Sequence, residues 1–367
     1  MWRVPRARRR CSHRAPYACR ERAKGHILVS RRVAVAAGDR TWRGLPVAVM
    51  AWLLISMGFL AVTAAGCGGA GGPAAGDSNG GLGSVVAAES FLADIAQNVA
   101  GDRLTVGTLL PLGADPHGFE PTPADVRKVA EAGVLIINGT GFEGFLDDLL
   151  AGAGNGQMVV EASAGLVPRH EGESAEHATG DAAAEAAHSH ELGDPHFWLD
   201  PVNVKTYVEN ISQGLAVFDP EGADEYAVNA AAYVRELDQL DAWVREQIQT
   251  IAPERRLLVT NHDSFSYFAE RYGLRVVGTV LPGASTGAAP SAQQMSRLIA
   301  DMKTSGAPAI FLEAGANTQL AEQIARDTGA IIVTGLYTHS TSGPEGEAPT
   351  YLDMIRYNTA AIVGALR

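Results

Sequence analysis

The chain has 367 residues, 46% of them hydrophobic and 19% charged, a composition that supports one or two sizeable cores and excludes disorder throughout. Its net charge of −12 is uneven: residues 1–44 hold thirteen of the 29 Lys and Arg but two of the 41 Asp and Glu, leaving 16 basic against 39 acidic residues from Cys67 onward, a charge of −23. A body that acidic repels nucleic acid and anionic membrane surfaces and suits an encounter with cations. The three cysteines, Cys11, Cys19 and Cys67, all lie in the first fifth of the chain, so a metal bound further on must be held by His, Asp or Glu.

In chain order, residues 45–65 form an uncharged apolar run behind the Arg-rich stretch and end in small residues before Cys67. This is the layout of a secretory signal, and residues 1–66 are read as a targeting segment. TAAGC at 63–67 resembles a bacterial lipoprotein box, which implies that Cys67 becomes the lipidated first residue of the mature protein. A transmembrane anchor is the competing reading, since about 20 apolar residues can span a bilayer. The Gly-rich stretch 67–83 behind the cysteine suits a flexible tether.

Residues 84–220 alternate short apolar strands (84–89, 104–110, 134–139) with amphipathic helices (91–101, 123–133, 142–150). Residues 253–367 repeat that grammar, with strands at 255–261, 274–280, 308–315 and 330–337 and helices at 266–273, 291–306 and 318–329. The expected fold is α/β, two lobes of mainly parallel sheet flanked by helices. Between them, 221–252 has no proline and no interior glycine after Gly222, so about 29 residues can run as one helix of roughly 43 Å. Tyr226, Ala230, Tyr233, Leu237, Leu240, Val244 and Ile248 give it one apolar face. A coiled-coil dimer would use such a face too, but a spine packed on both lobes of a monomer uses it more simply. Residues 168–193 are a low-complexity insert of small and acidic residues around His170, His177, His188 and His190, read as a loop for auxiliary, weaker metal collection.

The other histidines beyond Cys67 lie singly in loops: His117 and His196 in two DPH tripeptides, His262 after the strand ending VTN, and His339 after AIIVTGLY. Ligand sites of open α/β sheets lie beyond the carboxyl ends of strands. One such histidine alone is ordinarily a hydrogen-bonded structural residue. Four together would close a tetrahedral shell on a borderline-soft divalent ion without a thiolate.

DPHGFEPTPADVRKVAEAGVLIINGTGFEGFLDDLL, DPHFWLDPVNV, NHDSFSYFAERYGLRVVG, PSAQQMSRLI, FLEAGANTQLAEQIARDTGA and APTYLDMIRYN resemble, in order, the periplasmic zinc- and manganese-binding proteins of metal ABC importers, over residues 84–367. The resemblance implies two lobes joined by a rigid helix, with the metal in the cleft between them and His117, His196 and His262 as its first three ligands. The fourth family ligand is usually an Asp in a motif like LYxDSLS. Here the stretch reads LYTHSTS, which puts His339 in that place or leaves a nearby carboxylate or water to complete the shell. Four nitrogens disfavour Mn²⁺ and suit Zn²⁺ or Cu²⁺. The resemblance implies a lipid-anchored, extracytoplasmic receptor that hands Zn²⁺ to a membrane permease driven by a separate ATPase. The sequence is compatible as well with loading by a metallochaperone and with a role as a surface adhesin.

Ligating imidazoles donate their second N–H to a carboxylate or carbonyl, which makes Asp115, Glu120, Asp194, Asp200, Asp263 and Glu313 candidate partners. Phe119, Phe197, Trp198 and Phe265 read as core. A zinc hydrolase is disfavoured: there is no HExxH, and a fourth histidine would fill the position that water needs. Asp263 and Ser264 adjoin His262, but adjacent residues cannot form a Ser-His-Asp geometry, and no GxSxG elbow exists.

Overall fold

The computed structural model describes residues 83–154, 156–169, 193–283, 286–287 and 289–367. Cys67, the 1–66 segment and the loop histidines His170, His177, His188 and His190 lie outside the described residues. Among those described, no helix is long and apolar enough to cross a membrane.

Two four-stranded parallel sheets form the frame. In the first, β1 (Ser84–Ala87), β2 (Val106–Thr108), β3 (Ala132–Ile137) and β4 (Met158–Glu161) lie in the order β2-β1-β3-β4. In the second, β5 (Leu257–Thr260), β6 (Arg275–Thr279), β7 (Ala309–Glu313) and β8 (Ile331–Leu336) lie in the order β6-β5-β7-β8. The order is the same in both. Each sheet therefore has a topological switch point between its first and third strands, where a crevice opens at the carboxyl ends. β1, β3, β5 and β7 are apolar almost throughout, as strands covered on both faces must be.

The helices are α1 (Ser90–Ala100), α2 (Pro123–Ala130), α3 (Leu146–Ala153), α4 (Val204–Phe218), α5 (Ala223–Gln249), α6 (Ser266–Tyr272), α7 (Ala292–Ser305), α8 (Gln319–Thr328) and α9 (Tyr351–Leu366). Local chemistry sets their ends. Thr122 and Asp125 form a reciprocal capping box at α2, where Pro123 takes the first helical position, and Ser291 with Gln294 does the same at α7. At the far end of α7, Gly306 adopts the left-handed conformation (φ +74°) that stops the helix.

α5, the expected spine, runs 27 residues, about 40 Å. It starts two residues later than the apolar pattern proposes, because Pro220–Gly222 forms a 3-10 turn ahead of it. Its stripe of Tyr226, Tyr233, Leu237, Leu240, Val244 and Ile248 is fully buried, in the same hydrophobic cluster as Val85 and Phe91 of the first half and Phe311, Met354 and Ile362 of the second. Smaller clusters back the outer faces: Val86, Leu135 and Leu149 beneath α2 and α3, and Val259, Ile310 and Ile324 beneath α7 and α8. The inner faces of both sheets thus share one continuous core with the spine, which opposes relative movement of the two halves.

Candidate metal centre

The two DPH loops are built alike. In each, the Asp carboxylate accepts the backbone N–H of the histidine two residues on, at 3.0 Å from Asp115 Oδ1 to His117 and 3.0 Å from Asp194 Oδ1 to His196. Proline between them fixes φ and narrows the turn. The second loop is tied down further: Asn138, at the end of β3, donates from Nδ2 to Pro195 O at 3.1 Å, and Tyr207 of α4 donates to Asn138 Oδ1. His262 leaves the end of β5, where Thr260 Oγ1 donates to its carbonyl at 2.8 Å. His339 follows β8, and the preceding carbonyl, Thr338 O, accepts from Trp198 Nε1 at 2.7 Å, a buried bond between the two halves.

These four loops bring their imidazoles to one point. All six ring-centroid separations among His117, His196, His262 and His339 fall between 5.0 and 5.7 Å. One ring nitrogen of each lies within 4.8 Å of the other three. His262 Nε2 and His196 Nε2 stand 3.2 Å apart, while the Nε2 atoms of His117 and His339 are buried without a hydrogen-bond partner. Four nitrogens at 2.0–2.1 Å from a tetrahedral Zn²⁺ are separated by about 3.3 Å; the His196–His262 pair already stands at that spacing, and the other nitrogens lie within 4.8 Å. His196 and His262 are fully buried and His339 is 8% exposed.

Three of the Nδ1 edges face carboxylates. His196 Nδ1 is 2.8 Å from Asp194 Oδ1. His262 Nδ1 is 2.6 Å from Glu313 Oε1, and His339 Nδ1 is 3.7 Å from Glu313 Oε2. Asp194 and Glu313 are thus the two of the six candidate carboxylates that address ring nitrogens. Asp115 serves the His117 backbone and takes a hydrogen bond from Thr286 of the opposite half. Asp200 instead pairs with Arg271 at 3.1 Å, Asp263 accepts from Ser266 Oγ at 2.6 Å, and Glu120 is exposed.

Burial, reinforced by the charge on His262, lowers the His117 imidazole to about 4. Burial holds His196 and His339 well below the ordinary histidine value too. Burial also presses His262 down, but the Glu313 carboxylate overcomes it and the ring ends above its usual value. Glu313 shows the reverse balance, since burial pushes it up and the surrounding imidazoles leave it lowered. Burial raises Asp194 to about 7. Burial thus favours the neutral, lone-pair-donating form of His117, His196 and His339, while Glu313 favours the protonated form of His262, so that metal capture at Nε2 competes with protons chiefly there.

Two residues that sequence reasoning had not placed here complete the walls. The ring of Phe142 lies 5.3 Å from that of His117 and 5.8 Å from those of His196 and His339. Trp198, read as core, is fully buried and also lies 5.1 Å from the His196 ring. Nothing in the spacing of GTGFEGF distinguishes Phe142 from an ordinary core aromatic. On the other side, a cavity of about 530 Å³ reaches His339 and Glu313 between walls that include Asp115, Asn261, Thr286 and Thr338.

Residues 85–365 match the family described as zinc-uptake complex component A, periplasmic. The chain is 33% identical over 309 residues to the manganese-binding lipoprotein MntA of Halalkalibacterium halodurans, covering 84% of this chain and 95% of that protein. It is 32% identical to the iron-binding protein YfeA of Yersinia pestis, over 76% of this chain and 84% of that one. Among solved structures, the periplasmic zinc binding protein TroA from Treponema pallidum superposes with a TM-score of 0.67 at 28% identity, over 78% of this chain and 99% of that one. The chain belongs to the zinc-uptake component A family of periplasmic metal-binding proteins, substrate receptors of ABC importers whose centre carries a cargo and catalyses nothing.

Proposed function

We propose that the protein is a lipid-anchored extracytoplasmic receptor that captures Zn²⁺ on His117, His196, His262 and His339 and delivers it to the permease of an ABC importer, with Cys67 as the anchor. The carrying observation is the convergence of the ring nitrogens of four imidazoles, with no carboxylate oxygen in that group among the described residues. Four nitrogen donors suit Zn²⁺, whereas Mn²⁺ prefers oxygen ligands. The similar proteins named above bind manganese, iron or zinc by their names, so the choice of metal rests on this chain's own donors.

Elemental analysis of residues 68–367 after exposure to equal Zn²⁺, Mn²⁺ and Cu²⁺ tests the reading. The expected result is one tightly held zinc, with retention reduced in His339→Ala by more than the 10- to 100-fold typical of changes outside the ligand set. Manganese retained in preference to zinc, or a His339→Ala protein that holds zinc as well as the wild type, would overturn it.

A further inference from the structure

We propose that Glu313 is the positioning residue of the second half of the site: one buried carboxylate, shared between His262 and His339, aims both rings at the centre and supplies the negative charge that four neutral ligands lack. This rests on the four-histidine reading above. Glu313 is the last residue of β7, the strand flanked by β5 and β8. β5 ends two residues before His262 and β8 three residues before His339, so the carboxylate of the middle strand lies between the two ligand loops. Its Oε1 is 2.6 Å from His262 Nδ1 and its Oε2 is 3.7 Å from His339 Nδ1, both ion-pair contacts rather than aligned hydrogen bonds, so the carboxylate acts on the two rings through charge and proximity. It is 9% exposed, and among the described residues its ion pairs are with those two rings and with no Lys or Arg.

The contrast with Asp194 defines the role. Asp194 grips the ring and the backbone N–H of a histidine in its own tripeptide, so it organises one loop. Glu313 reaches two loops that are joined through the sheet. A dication surrounded by four uncharged imidazoles in a buried site keeps its full charge, and an adjacent carboxylate both offsets that charge and raises the basicity of the rings it holds. A carboxylate in the ligand set would do this directly. With His339 in that position, the task passes to Glu313.

The test uses the soluble chain from residue 68, with Zn²⁺ affinity by chelator competition, the visible absorption of the Co²⁺-loaded protein, and denaturant unfolding of the metal-free protein. Glu313→Gln should weaken Zn²⁺ binding by about 10- to 100-fold and shift the Co²⁺ spectrum, while the metal-free protein unfolds no earlier than wild type. In a His339→Ala background the same change should cost less, because one of its two rings is gone. The proposal is overturned if Glu313→Gln binds within twofold of wild type with an unchanged Co²⁺ spectrum. It is also overturned if the affinity loss matches an equal loss of metal-free stability, which marks a purely structural role. Failure of the wild type to hold Zn²⁺ or Co²⁺ would instead sink the four-histidine reading, so the two failures are distinguishable.

Discussion

The two DPH tripeptides place the same three residues at different depths and obtain different behaviour. Asp194 is buried and holds the His196 ring, whereas Asp115 is exposed and holds only the His117 backbone while it reaches Thr286 across the cleft. The imidazole shifts give a proton count for metal capture. With His117 at about 4 and His196 and His339 also depressed, those rings are neutral throughout mildly acid conditions. Protons compete mainly at His262, which is raised, and at Asp194, raised to about 7. Metal capture releases what these groups hold, so affinity falls as pH drops below neutrality. Between pH 6 and 5 the slope should be about one to two log units per pH unit, steepening toward pH 4 as His117 joins. Four unperturbed imidazoles near 6.5 would give a slope approaching four by pH 5. Titrations with a zinc chelator across this range read the slope directly, and a value of three or more between pH 6 and 5 would contradict the assigned protonation states.

Much of this was legible in the residues themselves. The four histidines stand out because each is the lone imidazole of a loop between an apolar strand and an amphipathic helix, or of a DPH turn. Glu313 could be nominated but not singled out from six carboxylates, since its two contacts depend on β5, β7 and β8 lying side by side. The Trp198 to Thr338 bond joins residues 140 positions apart, and no local pattern announces it.

Among the elements, the long helix and the strand and helix alternation followed from apolar spacing, yet β4, α4 and α9 were not anticipated. β4 is a four-residue edge strand with little pattern to read. α4 carries Val204, Tyr207, Val208, Ile211 and Leu215 at helical spacing, but its start is masked in the sequence by the DPHFWLDPVNV turn that precedes and overlaps it. α9 begins within a motif and interrupts its apolar face with the buried Asn358 and Thr359. Both polar residues are satisfied: Asn358 donates to Tyr337 O at 2.6 Å, and Thr359 bonds back to Ile355 O at 2.7 Å.

The junction of α1 with α9 carries its own pH dependence. Asp94 Oδ2 on α1 accepts the Tyr351 N–H at the start of α9, at 2.8 Å. Burial raises its carboxyl from 3.8 to about 6, against the favourable Tyr351 bond and helped by nearby Asp353. A folded value above the unfolded one means that the folded state holds the proton more tightly, so this contribution is full below about pH 4 and is lost as pH rises through 6. The loss is on the order of 2–3 kcal/mol. Asp94→Asn keeps an oxygen for Tyr351 and removes the titration, so urea midpoints of the variant should decline less than those of wild type between pH 4 and 6.5. Equal declines would assign the slope to other groups.

At the scale of the whole molecule, one core runs through both sheets and the spine, and buried bonds such as Tyr351 Oη to Trp198 O at 2.7 Å and Tyr267 Oη to Asp194 O at 2.7 Å lie across the seam. The ligands come from both sides of that seam, so a shared core holds them in register before the cation arrives, which lowers the ordering cost of capture. Residues 170–192 of the insert lie outside the described residues. If its histidines collect metal more weakly, as proposed from the sequence, deletion of residues 170–190 should reduce metal bound beyond one equivalent per chain while the tight site is retained. Titration calorimetry of the deleted protein checks this, and disappearance of the tight phase would place part of the main site in the insert.

Zinc-edge X-ray absorption of the protein loaded with one equivalent counts and identifies the donors at the four-histidine centre. Four nitrogen scatterers at about 2.0 Å, with the multiple scattering of imidazole rings, are predicted. A shell of five or six donors, or one in which oxygen replaces an imidazole, would contradict the four-histidine centre and the zinc selectivity drawn from it.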